Sequence, residues 1–586
     1  MASSSRIPPP RVGEPTVRHR FLVVVILLAS LALSTRLLWV QGLNSRALAA
    51  EARESRTVER TIPALRGDIL DRDGKVLAAS VERYDLWVDQ RQVDEYRAKD
   101  EDARPEEKGV KGAARTLAPV LGMTPAEAEK KLSGTRGFVY LSKGVDPAVR
   151  DATMALRIPG VGSDRVAQRT YPSGEVAGNV LGFVSGDGEP LAGTEIAYDD
   201  VLRGENGRIS YERGAGGQII PTAPQATQRA VDGRTVELTI DQDLQWRTQQ
   251  ILAQTVDRWG GSGGSAVVMN ARTGEVLALA DYPTYDPNAP GRTDAKYRGN
   301  QSLSNVFEPG STGKLFTMAA AIEEGTVSPT SQYTIPSTMT FDGQRIKDSH
   351  AHEVQKLTLA GVLAQSSNVG TVQVSQTLDD RTRYEYLRRF GLGQRTGVGL
   401  PGESAGILHA PEDWDPRMRF TTSFGQGYSV NALQMVSAVS TFANDGVRVQ
   451  PSLVRGVMDE SGTLRPLGEP TRTRVVSSQT AATMVQLMDN NIVDDGKHNG
   501  NIPHYAVGGK SGTAQVPDGT YTASFIGIAP ADDPELVTGV FIYGLTSFIS
   551  GTTAAAPAFS EVMGYALQNQ GVAPTGRPGR DLEDEW

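Results

Sequence analysis

A serine and a lysine three residues apart stand at the start of an apolar run near the middle of the chain. Ser311 follows a Pro-Gly pair, and Lys314 directly precedes the apolar run 315–322. If that run is a helix, both side chains lie on one face about a turn apart, within hydrogen-bonding reach. A lysine whose pKa falls in a water-poor groove can take the proton of a serine hydroxyl and so create a nucleophile. The alternative is a helix-capping serine followed by a surface lysine, which this short spacing does not exclude.

A second stretch, Ser366-Ser367-Asn368, carries groups that suit binding of a peptide. It follows a predicted helix over residues 357–365. In a loop that faces Ser311, the Ser366 hydroxyl can relay a proton and the Asn368 carboxamide can hold a peptide amide. An Asx-type turn between two helices is the alternative for this stretch.

A third stretch places a fixed cation in a strand-like run over residues 507–516. Lys510 is followed there by Ser511, Gly512 and Thr513. The ammonium group and the two hydroxyls suit binding of a substrate carboxylate, and the glycine lets a substrate backbone come close to the strand. The alternative is that Lys510 is a plain charge on the edge strand of a sheet.

Two other kinds of site are excluded by spacing. Gly509-Lys510-Ser511 ends like a phosphate-binding loop, but that motif needs a glycine at position 504, where the chain has His504. His350 and His352 lack the four-residue spacing of a zinc-binding helix. We therefore expect no metal ion and no cofactor.

Composition narrows the class of protein further. The 586 residues allow about three or four folding units. A formal charge of −9 provides no basic excess for binding nucleic acid, so we expect no such partner. The absence of cysteine removes disulfides, zinc-thiolate sites, iron–sulfur clusters and a thiol nucleophile together.

Residues 21–40 predict one membrane-spanning helix. Residues 21–35 carry no charge, and the whole segment is long enough to cross roughly 30 Å of hydrocarbon. Arg36 can reach towards the far interface, and Trp39 suits that interface. The excess of arginine before the helix favours a cytoplasmic N-terminus, with the bulk of the chain outside. The alternatives are a buried helix of a soluble domain and a signal peptide cleaved after Ala49.

The elements that must position the three stretches begin after this helix. A polar helical stalk over residues 41–60 is expected first, and then short strands and turns up to about residue 230. This part includes a turn at Asp73-Gly74, a strand over residues 180–184 and a helical insertion over residues 106–132. No convincing catalytic cluster lies there, so we interpret it as a pedestal.

A new domain is predicted to start near residue 231. Residues 233–241 alternate like a strand, and Asp241 suits the cap of the following helix. Strands are expected at both ends of this domain, with helices between them; their ranges are 266–269, 276–279, 524–528 and 537–543. Such an order predicts an α+β domain built on an antiparallel sheet packed by helices.

The three stretches in this order, S-x-x-K, S-x-N and K-S-G, resemble the active-site motifs of class B penicillin-binding proteins. The resemblance runs from the predicted anchor to about residue 570. It is also carried by stretches outside the site, which are Arg66-Gly67-Asp68-Ile69-Leu70-Asp71-Arg72, Arg169-Thr170-Tyr171-Pro172, residues 193–204 with Glu195 and Tyr198, and Leu400-Pro401-Gly402-Glu403. Two departures leave the reacting groups intact: Gly313 stands where the family often has an aromatic residue, and Ser511 replaces the commoner threonine.

The resemblance implies a penicillin-binding transpeptidase domain on a β-rich pedestal. The implied ranges are 1–20 for a disordered cytoplasmic head, 21–40 for the membrane helix, 41–230 for the stalk and dimerisation-type pedestal, 231–570 for the transpeptidase domain and 571–586 for a loose tail. In its length and lack of appended C-terminal modules, the chain is similar to the septal, FtsI-like branch. The elongation branch is the alternative.

The resemblance also implies a role for each residue in a two-step acyl transfer on peptidoglycan stem peptides. Ser311 is expected to attack the D-Ala-D-Ala carbonyl with Lys314 as base, and Ser366 to pass the proton to the leaving amine. Asn368 is expected to hold the donor peptide. Its terminal carboxylate would bind Lys510, Ser511 and Thr513, and the backbone N–H groups of Ser311 and Thr513 would form the oxyanion hole. β-Lactams would acylate the same serine.

Three kinds of partner follow from the same resemblance. They are the stem peptides, a polytopic SEDS-type, FtsW-like glycan polymerase beside the membrane helix, and other division proteins on the pedestal. Two functions compete with transpeptidation: a serine β-lactamase, and a catalytically silent scaffold of the division machinery. The first needs a water-activating carboxylate and gains nothing from a pedestal, and the second does not need the intact motifs.

Overall fold

The computed structural model describes residues 15–43, 56–97, 108–212, 214, 226–493, 499–575 and 582–586. The chain divides into two compact units. The first comprises Met1–Pro63 and Asn206–Val231, and the second comprises Ala64–Glu205 and Asp232–Trp586.

The strands are β1 Thr57–Ile62, β2 Ile69–Leu70, β3 Val76–Val88, β4 Val139–Val145, β5 Val161–Thr170, β6 Gly207–Glu212, β7 Ala226–Gln228, β8 Val236–Leu238, β9 Gly263–Asn270, β10 Val276–Tyr282, β11 Gln332–Ile335, β12 Thr338–Phe341, β13 Gln344–Lys347, β14 Gln355–Thr358, β15 Val447–Val449, β16 Val454–Met458, β17 Leu464–Pro466, β18 Arg472–Arg474, β19 Gly508–Gln515, β20 Tyr521–Ala529 and β21 Leu536–Leu545. The α-helices are α1 Pro15–Leu38, α2 Gly109–Leu121, α3 Pro125–Leu132, α4 Pro147–Ala155, α5 Gly178–Leu181, α6 Gly193–Ala197, α7 Asp199–Leu202, α8 Gln242–Trp259, α9 Gln301–Ser304, α10 Lys314–Glu323, α11 Leu359–Ala364, α12 Asn368–Ser375, α13 Asp380–Arg389, α14 Met418–Thr421, α15 Ala432–Ala443, α16 Ser478–Val493, α17 Gly551–Ala554 and α18 Ala556–Asn569. Short 3-10 helices lie at Gln90–Glu95, Pro290–Arg292, Ala295–Tyr297, Gly310–Gly313, Pro411–Asp413 and Thr422–Phe424, and a π-helical turn at Trp39–Leu43.

Helix α1 is the apolar helix of the first unit. It continues into the π-helical turn, and the segment Pro15–Gly42 is long and apolar enough to cross a membrane, with a mean hydropathy of 2.4 and no buried residue. This fits the predicted single-pass anchor. The helix begins at Pro15, six residues before the predicted span, so the predicted disordered head is wrong for residues 15–20. Proline is favourable at a helix start, because the first N–H groups have no partner within the helix. Residues 1–14 lie outside the described residues.

The first unit also contains an antiparallel sheet in the order β1-β6-β7. Strand β1 overlaps the segment for which a helical stalk was predicted. Its sequence alternates between exposed and half-buried residues and is rich in Thr, Val and Ile, which favour extended backbone. The stalk prediction is therefore wrong from Thr57 onward, and residues 44–55 of the predicted stalk lie outside the described residues.

The pedestal motifs of the second unit converge on one buried ion cluster. Glu195 is fully buried and accepts hydrogen bonds from Arg66 Nε at 2.5 Å and Arg169 Nε at 2.7 Å. Arg66 Nη1 also donates to Asp199 at 2.5 Å, and the Tyr171 hydroxyl donates to Glu195 at 3.2 Å. Residues that lie far apart in the sequence thus pair opposite charges in one water-poor place.

A five-stranded antiparallel sheet forms the centre of the second unit. Its order is β10-β9-β21-β20-β19, which confirms the predicted antiparallel sheet with strands from both ends of the domain. The predicted hairpin is β9–β10. Asp241 accepts hydrogen bonds from the N–H groups of Asp243 and Leu244, both at 3.0 Å, so it caps α8 as predicted.

Helices cover both faces of this sheet because its strands alternate apolar residues between two cores. Ala266 and Val268 lie in one core, into which α8 and α18 bury their apolar side chains. Val267 and Met269 lie in the other, with α15, whose twelve residues are all buried. The α+β architecture expected from the sequence is confirmed.

One local prediction is wrong, and another is confirmed. The apolar residues Val180 and Leu181 lie in the short buried helix α5, and not in a strand. A short apolar run is consistent with either element, and here the Asn179 amide fixes the helix by donating to Asp281 at 2.9 Å. The helical insertion is confirmed as α2 and α3; residues 106 and 107 of its predicted range lie outside the described residues.

The predicted loose tail is wrong for residues 582–586. The Thr358 N–H donates to the Asp584 carbonyl at 2.8 Å, and the Leu582 N–H donates to the Asn490 side chain at 2.7 Å. The Trp586 N–H donates to the Lys356 carbonyl at 3.2 Å. Polar composition alone predicted a loose segment, but these backbone groups find partners on β14 and α16. Residues 576–581 lie outside the described residues.

Candidate active site

Ser311 lies in the 3-10 turn Gly310–Gly313, which leads directly into α10. The Lys314 N–H donates to the carbonyls of Ser311 and Thr312, so the turn and the helix are continuous. Gly310 has a φ of 58°, a conformation that favours glycine. The sequence Pro-Gly-Ser therefore turns the chain sharply and presents the half-buried Ser311 at the start of a helix, as predicted.

Lys314 is fully buried, and its ammonium nitrogen contacts the second predicted stretch. The Nζ atom donates to the Ser366 carbonyl and lies 3.2 Å from Ser366 Oγ. Burial lowers the pKa of Lys314 well below its ordinary value, and the like charge of Lys510 lowers it further, while Asp348 acts in the opposite direction. A neutral amine next to a hydroxyl is the state that can accept a proton.

The stretch Ser366-Ser367-Asn368 connects α11 to α12. Ser366 has a φ of 54°, which is uncommon for a residue other than glycine. The Ser367 hydroxyl accepts a hydrogen bond from the Gly370 N–H at 2.9 Å and caps α12, and Asn368 Nδ2 donates to the Lys347 carbonyl at 3.1 Å. The turn between helices that was the alternative interpretation is therefore present, and it also holds Ser366 against Lys314.

The third stretch lies on β19 at the edge of the five-stranded sheet. The Lys510 side chain is almost completely buried, and its Nζ lies 3.4 Å from the Ser511 carbonyl. Side chains alternate along a strand, so Lys510 and Gly512 share one face, and Ser511 and Thr513 share the other. The Thr513 hydroxyl accepts a hydrogen bond from the Gly551 N–H at 3.0 Å.

The Ser311 turn packs directly against β19. A Cβ atom placed on Gly512 would lie 2.7 Å from the Pro309 carbonyl oxygen, and one on Gly310 would lie 3.0 Å from the Thr513 carbonyl oxygen. Both contacts are too close for most side chains, so glycine at both positions allows the strand and the turn to approach. The structure thus brings the turn that carries Ser311 next to Gly512 and Thr513.

The predicted residues fall into two sets of contacts. Lys314 contacts Ser366 directly, and the turn that carries Ser311 contacts the strand segment Gly512–Thr513. Lys510 lies close enough to Lys314 to lower its pKa. Asn368 is bound by Lys347, and Ser511 is half-buried on β19. Among the residues the structure describes, no group of three or more His, Cys, Asp or Glu could hold a metal ion.

Comparison with known proteins identifies the family. Residues 264–564 match the penicillin-binding protein transpeptidase domain, and residues 61–238 match the penicillin-binding protein dimerisation domain. The chain is 37% identical to penicillin-binding protein PbpB of Mycolicibacterium smegmatis, over 96% of this chain and 92% of that protein. It is 30% identical to the peptidoglycan D,D-transpeptidase FtsI of Escherichia coli, over 95% of this chain and 92% of that protein.

The chain belongs to the class B penicillin-binding proteins. Solved structures agree with this assignment. A peptidoglycan synthetase from Bifidobacterium adolescentis has a TM-score of 0.73 at 33% identity, and the match covers 91% of this chain and all of that one. Penicillin-binding protein 3 of Mycobacterium tuberculosis, in complex with ampicillin, has a TM-score of 0.69 at 31% identity and covers 90% of this chain and all of that one.

The departure of this class B protein at Gly313 has a steric cause. A Cβ atom on Gly313 would lie 2.6 Å from the Tyr428 hydroxyl oxygen and 2.6 Å from the Cα atom of Gly425. Tyr428 is buried, and its hydroxyl has no hydrogen-bond partner within the described part of the chain. The space that an aromatic residue at position 313 would need is therefore filled from the loop before α15.

Sequence reasoning missed two residues that hold the site. Asp348 follows β13 and binds the start of α12 through two backbone N–H groups, and Glu308 accepts a hydrogen bond from the Gly427 N–H at 2.8 Å. Burial raises the pKa of Glu308, although this hydrogen bond opposes the shift. Neither carboxylate belongs to a motif with a fixed spacing. In the sequence, each could have been noticed only as an acidic residue close to one of the three motifs.

Proposed function

We propose that this chain is a peptidoglycan D,D-transpeptidase that crosslinks stem peptides through an acyl-enzyme formed on Ser311. The observation that carries the proposal is the fully buried Lys314, held against Ser366 one turn after Ser311. A water-poor amine that contacts the Ser366 hydroxyl one turn after Ser311 is suited to taking a proton from the Ser311 hydroxyl and returning it through that of Ser366.

In the first step, Ser311 Oγ forms a bond to the carbonyl carbon of the penultimate D-Ala while its proton passes to Lys314. The negative charge that develops on the carbonyl oxygen is stabilised by the backbone N–H groups of Ser311 and Thr513, which the close approach of Gly310 to β19 supports. The C–N bond then breaks. Lys314 returns the proton through the Ser366 hydroxyl to the leaving amine, and D-Ala departs.

The donor peptide binds along the edge of the sheet. Among the described strands, β19 pairs only with β20, so its other edge can pair with an extended peptide. The hydroxyls of Ser511 and Thr513 bind the terminal carboxylate, and Lys510 provides the positive charge from the opposite face of the strand. Asn368 holds the amide of the donor peptide from the other side.

In the second step, an amine from a neighbouring stem peptide attacks the acyl carbon and replaces the Ser311 oxygen, which regains a proton. This reaction forms the crosslink and restores the enzyme. A β-lactam presents a similar carbonyl in a strained ring, and attack by Ser311 opens the ring. The ampicillin complex of the related mycobacterial protein supports β-lactams as ligands.

We place the protein in the cell membrane, with α1 as its single span and the catalytic unit outside the cytoplasm. The arginine excess before the helix supports this orientation. The names of the relatives PbpB and FtsI support work at the division septum, and with it a SEDS-type, FtsW-like glycan polymerase and other division proteins as partners. Depletion in cells tests the branch: filaments support septal work, and rounded or bulging cells indicate elongation.

Labelling with fluorescent penicillin tests the enzymatic proposal. The full-length protein in detergent should give a stable labelled band and a mass increase of one acyl group. Ser311→Ala should abolish both, and Ser304→Ala, on the nearby helix α9, should leave them unchanged. A catalytically silent scaffold would show no band that depends on Ser311. A β-lactamase would form the band and lose it within seconds to minutes.

A further inference from the structure

Asp348 is a buried carboxylate that makes four polar contacts beside the candidate site. Its Oδ1 atom accepts hydrogen bonds from the N–H groups of Asn368 at 2.5 Å and Val369 at 2.9 Å. Its Oδ2 atom accepts one from the Ser367 hydroxyl at 2.7 Å and lies 3.1 Å from His352 Nε2. Its side chain is 8% exposed, so these contacts replace most of the water around the carboxylate.

Three of these four partners are consecutive residues at the start of α12. The first N–H groups of a helix have no partner within it, and a carboxylate at that end is favourable for its charge as well as its hydrogen bonds. The Ser367 hydroxyl accepts a hydrogen bond from the Gly370 N–H and donates one to Asp348. The same carboxylate therefore also orients the hydroxyl that caps α12. Asp348 therefore fixes the backbone that directly follows Ser366.

Ser366 itself needs such support. Its positive φ is a conformation that persists in a residue other than glycine only where the surroundings hold it. On one side its carbonyl and hydroxyl contact Lys314. On the other side the chain is tied to the segment Lys347–Asp348, which binds both the backbone and the side-chain amide of Asn368.

The charge of Asp348 acts on the same lysine. Burial and Lys510 lower the pKa of Lys314, and Asp348 is the opposing charge. His352 is the titratable group that contacts Asp348 from its other side. Burial opposes protonation of His352, but its contacts with the Glu353 carbonyl and with Asp348 raise its pKa. Lys314, Lys510, Asp348 and His352 thus form one electrostatic system around the Ser366 turn.

We infer that Asp348 is a positioning residue of the acyl transfer, whose carboxylate anchors the Ser366–Asn368 turn against Lys314, with His352 holding its outer oxygen. The inference rests on the proposed function, since it assigns Asp348 a part in that reaction. Asp348 acts through Ser366, Asn368 and Lys314 and does not itself contact substrate.

The test compares Asp348→Asn with Asp241→Asn in the full-length protein. Asp241 is also a buried carboxylate that binds two N–H groups at a helix start, and it caps α8, which has no part in the proposed site. The second-order rate constant for acylation by a fluorescent penicillin is measured from pH 5 to pH 10, together with the melting temperature of each variant.

Asp348→Asn should lower the acylation rate constant by roughly 10- to 100-fold, by analogy with the loss of a hydrogen-bond partner that orients a metal ligand. It should also move the acidic limb of the pH profile to lower pH, because Lys314 loses the charge that raises its pKa. Asp348→Glu keeps the negative charge but displaces it. It should therefore show the acidic limb at the wild-type pH, while its acylation rate constant stays below that of the wild type. Asp241→Asn should lower the melting temperature and leave acylation within about twofold of the wild type.

Two results overturn the inference. One is acylation of Asp348→Asn within about twofold of the wild type. The other is a loss of acylation that follows the loss of melting temperature while the acidic limb stays in place. If Asp348→Asn does not fold, His352→Gln gives the decision: a smaller fall in rate with a displaced limb supports the inference, and an unchanged profile overturns it. Absence of Ser311-dependent labelling in the wild type would instead end the proposed function.

Discussion

Two of the places where the second unit buries charge follow opposite rules. In the pedestal cluster, Glu195 lies between Arg66 and Arg169, so opposite charges are paired. In the candidate site, Lys314 and Lys510 are both buried, and burial together with the like charge of Lys510 lowers the pKa of Lys314. Paired burial favours the ionised side chains and fixes a structure, whereas burial of like charges favours the neutral form of an amine, which can take up a proton.

The candidate site should therefore lose chemistry and keep stability when its lysine is replaced. Lys314→Met should lower acylation by penicillin by about 100- to 10,000-fold, because the base is gone. Its melting temperature should be unchanged or higher, since a thioether of similar size replaces a buried amine. Labelling kinetics and thermal unfolding check both parts. A strongly lowered melting temperature would mean that Lys314 is as structural as the pedestal cluster.

The pedestal cluster should show the opposite behaviour. Glu195→Gln leaves Arg169 and part of Arg66 as uncompensated buried charges, and should lower the free energy of unfolding by about 3–5 kcal/mol. The fraction that stays folded should acylate at the wild-type rate. Chemical denaturation and active-site titration measure the two quantities, with the exposed Glu189→Gln as control. A stable Glu195→Gln protein would contradict the structural interpretation.

A pH profile sharpens the contrast inside the candidate site. Lys510→Gln removes a positive charge near Lys314, so the pKa of Lys314 should rise. The neutral amine then appears only at higher pH, and the acidic limb of acylation should move up by about one pH unit. Asp348→Asn should move the same limb down. If the acidic limbs of Lys510→Gln and Asp348→Asn moved in the same direction, the charges of Lys510 and Asp348 would not be what sets the pKa of Lys314.

A surface ion pair provides the smallest effect and tests burial as the variable. Lys75 Nζ lies 2.7 Å from Asp243, but the two side chains are 43% and 58% exposed. Lys75→Gln should therefore lower the free energy of unfolding by less than about 1 kcal/mol and leave acylation unchanged. Denaturation curves at low and high salt check this, because salt should remove the difference. A loss of unfolding free energy as large as that of Glu195→Gln would show that burial does not decide how much an ion pair contributes.

The sequence was most informative where the chemistry needs fixed spacing. Ser311 and Lys314 are linked by the geometry of one turn, so their placement at the start of a helix could be predicted, as could the antiparallel sheet with late strands. The contact of Lys314 with Ser366 could be predicted only from the family resemblance. The residues between the two motifs show no pattern that indicates which distant segments come together. Asp348 has no motif and no periodic neighbours, and its role follows from contacts alone.

The wrong predictions about the fold also arise where contacts between distant residues decide the structure. Val180 and Leu181 form an apolar run too short for periodicity to decide between helix and strand, and a buried amide decides it. The segment 582–586 is polar enough to suggest a loose tail. In the structure its backbone forms hydrogen bonds with backbone groups of β14, and the sequence of the segment does not indicate these partners. Tertiary partners decided both cases, and a local pattern cannot contain them.

The order of the central sheet has a consequence for biosynthesis. Strand β21 lies between β9 and β20, so the first hairpin of the catalytic domain has no neighbour on that side until the chain has been synthesised to residue 545. The turn with Ser311 emerges more than 200 residues earlier, without the strand that completes its pocket. A nascent chain should therefore lack a complete site until almost its whole length has been synthesised, and a chain that ends before residue 508 should not be acylated by a β-lactam.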